Sequence, residues 1–287
     1  MNASFKKIYY DGHPAYNLHH TTGMNAEMST IDHPHLGGDH MIFYFLHGSG
    51  QVKAEGKTYH FSDGDVVILS ATELFHCMVD KDVYHERIVL HINEAFLKEF
   101  SSDVSGLLDI FKEREPGSGN LIPADVARST GLAAALEEML SLAQRNEKYR
   151  DVMIICQIVK ALSLLEGIGG HAAGGGELTE NPLINKVIAY INESYHKDIT
   201  MESMAEEFNI SSSYLSHLFK EHTGIPLWKY VTLRRIQQFN LLIEQGWSSE
   251  AACYKAGFNN YSNFFRLYKK HMGVSPAQFR RNKEVTK

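Results

Sequence analysis

Apolar residues between Ile199 and Arg281 recur at helical spacing, and the whole pattern occurs twice. The first copy reads ITMESMAEEFNISSSYLSHLFKEHTGIP, and the second reads SSEAACYKAGFNNYSNFFRLYKKHMGVSP. Each copy predicts a short helix, a tight turn and a second helix closed by glycine and proline. Thr200 suits the N-cap of the opening helix, and Ser211 that of the second. At 100° per residue, Ser213, Ser216, His217 and Lys220 share one face of that second helix. Tyr214, Leu215, Leu218 and Phe219 share the face expected to pack. In the second copy Ser262, Phe265, Arg266 and Lys269 line the polar face, with Phe264, Leu267 and Tyr268 inward. Between the copies, Leu227, Tyr230, Leu233, Ile236, Phe239 and Leu242 recur every three residues, which predicts one long helix over Pro226–Gln245 ending at Gly246.

The pattern differs upstream. Residues 1 to about 93 read as short strands with turns at Glu55-Gly56 and Ser62–Asp65; VVILSA and Tyr84–Ile92 are two of the strands. Strands at this spacing predict a small β-barrel or jelly roll. Asn93–Glu113 and Pro123–Leu165 read as helices. They carry apolar stripes at Leu132, Leu136, Met139 and Leu140, and at Ile155, Ile158, Val159, Leu162 and Leu165, suited to covering the strands or to pairing two subunits. Six glycines from Gly167 to Gly176 predict a flexible tether. The chain thus divides into a domain over 1–166, a linker over 167–180 and an all-α domain over 181–287 with helical pairs at about 199–224 and 248–273.

Composition sharpens this division. The 287 residues carry a net charge of −6, distributed as −9 over residues 1–176 and +3 over 177–287. The basic charge collects where the paired helices lie, as contact with nucleic acid requires. Three distant cysteines, Cys77, Cys156 and Cys253, suggest a reducing compartment, and no leader or membrane span is read, so a cytoplasmic location is expected. No nucleophile elbow, P-loop or dinucleotide fingerprint occurs; the expectation is a protein without catalytic residues and without a cofactor.

The repeated motifs IT-x-E-x-M-A-E-x-F-x-I-S, S-Y-L-S-x-L-F-K, R-I-x-x-x-x-L-L from Arg235, F-x-R-x-x-K-K from Phe264 and G-V-S-P from Gly273 resemble the AraC/XylS family of transcription regulators. The resemblance implies a double helix-turn-helix that binds double-stranded promoter DNA and recruits RNA polymerase as an activator. Its DNA-contacting positions would be Ser211, Ser213, Ser216, His217, Lys220, Asn260, Ser262, Phe265, Arg266, Lys269 and Lys270. Phe239 and Cys253 stand where the family usually has alanine, and Ser249 where it has isoleucine, which implies looser packing of the second unit. The first ninety residues resemble the family's cupin-like sensor domain, which implies a homodimer and a small polar effector of sugar type. His33, His35, Tyr44, His76 and Arg87 are the ligand candidates; His33, His35, His40 and His76 are an alternative metal set.

Overall fold

The computed structural model describes residues 6–13, 16–24, 39–93, 98, 106–168 and 179–285. His33 and His35 lie outside them. The N-terminal part contains two antiparallel sheets, laid face to face. The larger contains β1 (Lys6–His13), β2 (Tyr16–Met24), β3 (Asp39–His47), β6 (Val66–Leu69), β8 (Tyr84–Asn93) and β9 (Leu121–Ile122), in the order β1-β2-β8-β3-β6-β9. The smaller contains β4 (Gly50–Ala54), β5 (Lys57–Phe61), β7 (Phe75–Val79) and β10 (Thr179–Glu180), in the order β10-β5-β4-β7. Among the described residues no ladder joins the two sheets into a closed barrel.

Side-chain alternation gives the larger sheet two different faces. Phe43, Phe45, Val67 and Val89 point at the smaller sheet, meeting Val52, Phe61, Phe75 and Cys77. Phe45 stacks on Phe61 with ring centres 3.7 Å apart. The alternate residues Ile42, Tyr44, Ile88 and Leu90 face outward and are covered by helices. Those helices are α1 (Asp109–Lys112), α2 (Ala124–Ser129), α3 (Leu132–Ala143) and α4 (Arg150–Ile168). Both predicted stripes therefore serve as a lid on the sheet: Leu132, Leu136, Met139, Ile158, Leu162 and Leu165 are all buried there. Within 123–165, read as helices, the breaks fall at Gly131, whose φ is 85°, and at the loop before Arg150. The strand β9 was not expected from its two apolar residues.

The C-terminal part is helical: α5 (Pro182–Ser194), α6 (Met201–Glu207), α7 (Ser212–Thr223), α8 (Leu227–Glu244), α9 (Ser249–Lys255), α10 (Tyr261–Met272) and α11 (Pro276–Val285). The long central helix α8 buries every member of its predicted stripe. The expected looseness of the second unit is not found. Phe239 is fully buried, its ring 4.6 Å from Phe264 and 5.2 Å from Tyr268, so it fills the space an alanine would leave.

The two parts dock on each other. The turn Glu55-Gly56 places Glu55 in the left-handed region, φ 49°, and carries its carboxylate into the helical domain. There it accepts from the Leu74 amide at 2.5 Å, from the Tyr230 hydroxyl at 2.7 Å, and from the Arg234 guanidinium. Arg234 also donates to the Thr72 carbonyl at 2.7 Å, and Gln237 reaches the same oxygen at 3.3 Å. Leu74, a residue of the β-domain, is buried within the helical core. Gly56 follows Glu55 at φ 82°, a conformation that favours glycine, and a β-carbon there would crowd the tip of Ile188. β10 adds a short antiparallel rung, Thr179 opposite Thr58 and Glu180 opposite Lys57, just before α5 begins.

Candidate nucleic-acid interface and sensor interior

The two helical pairs are built by the same local chemistry. Each first helix ends in a Schellman motif. The Ile210 amide donates to the Ala205 carbonyl at 3.0 Å, and the Phe258 amide donates to the Cys253 carbonyl at 3.2 Å. The left-handed residue is Asn209 in the first pair, φ 53°, and Gly257 in the second, φ 93°. Only glycine fits the second, because a β-carbon there would lie 2.7 Å from the Tyr195 carbonyl oxygen. The N-caps also correspond. Ser211 Oγ accepts from the Tyr214 amide at 3.2 Å, and Asn260 Oδ1 from the Asn263 amide at 2.9 Å. The opening helix α6 has a reciprocal box, Thr200 and Ser203 each bonding the other's amide.

This framework holds α7 and α10 by one face each. Leu215, Leu218 and Phe219 are buried on α7; Phe264 and Tyr268 on α10. Ser213, Ser216, His217, Lys220, Ser262, Phe265, Arg266, Lys269 and Lys270 are exposed. Ser211 and Asn260 are occupied as caps. Tyr214 departs from expectation. It is 52% exposed and stands on the open side of α7, one position ahead of the packed row that begins at Leu215. Helical spacing grouped it with Leu215, Leu218 and Phe219, but it lies at the edge of that face and remains open. Phe265 is 37% exposed, beside Arg266, whose guanidinium is held by Asn263 Oδ1 at 2.7 Å.

Among the described residues, the ligand candidates Tyr44, His76 and Arg87 do not converge on one cavity. The Tyr44 hydroxyl donates to Glu137 at 2.8 Å on the helix-covered face. Burial and that carboxylate both hold the phenol well above its ordinary pKa. His76 points away from the sheet interior, against the backbone of Gly224 at the end of α7. His40 accepts from the Ala71 amide at 3.3 Å and stacks on Phe111, again on the helix side. His40 and His76 thus occupy different sheets and opposite outer faces, and among the described residues no cluster of metal-ligating side chains forms.

Arg87 alone of the described candidates lies between the sheets. Its guanidinium donates to Cys77 Sγ at 3.9 Å across the sandwich and lies 5.9 Å from the Phe43 ring centre. Register places Thr21 and Phe45 beside it, and Asn17 beside His91. His19 and His91 face each other with ring centres 5.0 Å apart. His85 completes the strip; burial first and the Arg87 charge second push it down to about 4, so its ring is neutral at neutral pH. Burial also pushes the Cys77 thiol up to about 11. Sequence reading missed His19, Thr21, His85 and His91. Their alternation along β2 and β8 was the available signal, and it needed the pairing of those strands to become visible.

Residues 17–158 match the family described as the AraC-like ligand binding domain, and residues 204–282 match a helix-turn-helix domain. The HTH-type transcriptional regulator YdiP of Escherichia coli is 30% identical over 107 residues, 37% of this chain and 35% of that protein. The chain spans about a third of the length of the curated relatives it matches. Among solved structures, the C-terminal domain of AraT, a response regulator from Geobacillus stearothermophilus, is 32% identical over 35% of this chain and 85% of that one, with a TM-score of 0.34. ToxT from Vibrio cholerae is 17% identical over 98% of both chains, with a TM-score of 0.38. Among the described residues no helix is long and apolar enough to cross a membrane.

Proposed function

The chain belongs to the AraC-type transcription regulators, and from that premise we propose that it is a cytoplasmic activator, active as a homodimer, that reads promoter DNA with α7 and α10. The observation that carries this reading is the pair of helices capped and packed alike, each turning a polar and cationic face to solvent. The domain over 1–166 senses a small molecule, the tether over 167–180 joins it to the DNA-binding domain over 181–287, and bound regulator recruits RNA polymerase. At 18 residues α8 is about 27 Å long. That approaches the roughly 34 Å between successive major-groove faces on one side of B-DNA. Adjacent grooves are therefore within reach of one chain.

The two helices contribute differently. Ser213, Ser216, His217 and Tyr214 offer hydroxyl and imidazole groups, while Arg266 can form a bidentate contact to guanine and Phe265 can meet a thymine methyl. Arg266→Ala is expected to weaken binding to the preferred site by about 1–3 kcal/mol and to relax discrimination at one guanine. Phe265→Ala is expected to lower preference for a nearby thymine with an unchanged melting curve. Titration of the full chain and both variants against single-base changes in a promoter fragment checks this. Equal losses on every sequence would overturn the base-reading roles and leave only phosphate contact, which Lys220, Lys269 and Lys270 already supply.

Dimerisation is supported by an open stripe on α4. Val152, Met153 and Cys156 on its outer side, with Tyr149 just ahead of its first turn, are all exposed, opposite the buried row. Val152→Asp together with Met153→Asp is expected to convert the dimer to monomer in sedimentation while the melting temperature stays within a few degrees. A variant that sediments as the parent does would place the contact elsewhere.

A further inference from the structure

Arginine carries its charge at any pH a protein meets. In a folded interior that charge is matched by a carboxylate or another anion, because an unmatched buried ion is among the most costly groups a protein can hold. Arg87 is 8% exposed and has no such match among the described residues. Around it are a thiol, an aromatic ring, a threonine and neutral imidazole; no carboxylate among the described residues reaches it, and its Nε has no acceptor. Both nitrogens of the neighbouring His85 also lack partners. This is a polar strip along β2 and β8, faced across the sandwich by Phe61 and Phe75 of the smaller sheet, with Phe43 beside it on the neighbouring strand β3.

We propose that the interior between the two sheets binds a small monocarboxylate, with Arg87 as its counter-ion and His19, Thr21, His85 and His91 as the polar strip beside it. This rests on the reading of the first domain as a sensor and narrows its effector. A planar guanidinium matches a carboxylate with two parallel hydrogen bonds. One fixed positive charge beside a neutral His85 balances one negative charge, which favours a monocarboxylate over a phosphate dianion or a dicarboxylate. Phe61 and Phe75 opposite, with Phe43 beside the guanidinium, supply an apolar surface for the rest of the molecule. A neutral sugar would satisfy the imidazoles and leave the guanidinium charge unmatched.

The experiment is a thermal-shift titration of the full chain with benzoate, phenylacetate and octanoate, beside benzamide, arabinose, glucose and inorganic phosphate. At least one acid is expected to raise the melting temperature saturably, by roughly 5–10 °C at a hundred times its dissociation constant. Benzamide and phosphate are expected to leave it unchanged, and Arg87→Met is expected to abolish the response. Without ligand, Arg87→Met is expected to melt at or above the parent temperature, because it removes an unmatched charge. Its melting several degrees lower would show a purely structural arginine and overturn the proposal. A shift with arabinose or glucose and none with the acids would overturn the carboxylate while leaving the sensor reading intact. No shift with any probe would overturn the proposal too; promoter binding by the same sample then shows whether the regulator reading stands.

Discussion

Glu55→Gln is expected to lower the unfolding free energy of the full chain by about 3–5 kcal/mol, the usual cost of removing one partner from a buried ion pair. The Glu55 carboxylate is 3% exposed and Arg234 is 13% exposed, so solvent screens the pair little. Glutamine keeps the size of the side chain and the Leu74 bond but removes the charge. Arg234 is then left beside the Tyr230 hydroxyl and the Thr72 carbonyl with no anion. The companion variant Glu55→Gln with Arg234→Met is expected to recover most of the loss, because two neutral groups of similar size replace two charges. Urea unfolding of both, followed by far-UV circular dichroism, separates the outcomes. A loss below about 1 kcal/mol for Glu55→Gln would show that the pair behaves like an exposed one.

Phe239→Ala is the second large effect. It would install the residue the family usually carries at this position, and it is nevertheless expected to cost about 3–5 kcal/mol, as full truncation of a buried phenylalanine does. Phe239 is sealed by Phe264 and Tyr268, and Tyr268 is itself tied to Asn240 by a 2.7 Å hydrogen bond within α8's reach. A void beside these two rings, one of them held by that bond, has little freedom to collapse. Because Phe264 and Tyr268 are the packed face of α10, the loss falls on the helix that presents Arg266. Weaker promoter binding in parallel with the lower melting temperature is expected; an unchanged melting curve would mean that the neighbouring rings close the gap.

Local features of this molecule were legible in the sequence. The stripe from Leu227 to Leu242 is buried throughout, Thr200 and Ser211 cap the helices assigned to them, and the turn at Glu55-Gly56 lies where alternation breaks. Each depends on neighbours within a few positions. What escaped depends on partners far away. Glu55 and Arg234 are 179 positions apart, and no periodicity links them. His76 stood among the ligand candidates that the resemblance to the sensor domain implied, but strand parity sends it outward against Gly224. Arg87, from the same list, lies between the sheets, and its lack of an anion among the described residues became visible only once Cys77 and Phe43 stood beside it. Tyr214 shows the remaining difficulty: spacing put it at the edge of the packed face, and a single step of 100° from Leu215 carries it outside.

Leu74 leaves the β-domain just before β7 and finishes as part of the helical core, beside residues of α5 and α8. Withdrawing it would open a socket in one domain and expose an isobutyl group on the other. Neither domain can then melt without altering the solvation of its neighbour. Calorimetry of the full chain should accordingly record one transition whose calorimetric and van't Hoff enthalpies coincide, in place of the two peaks expected of independently folding units.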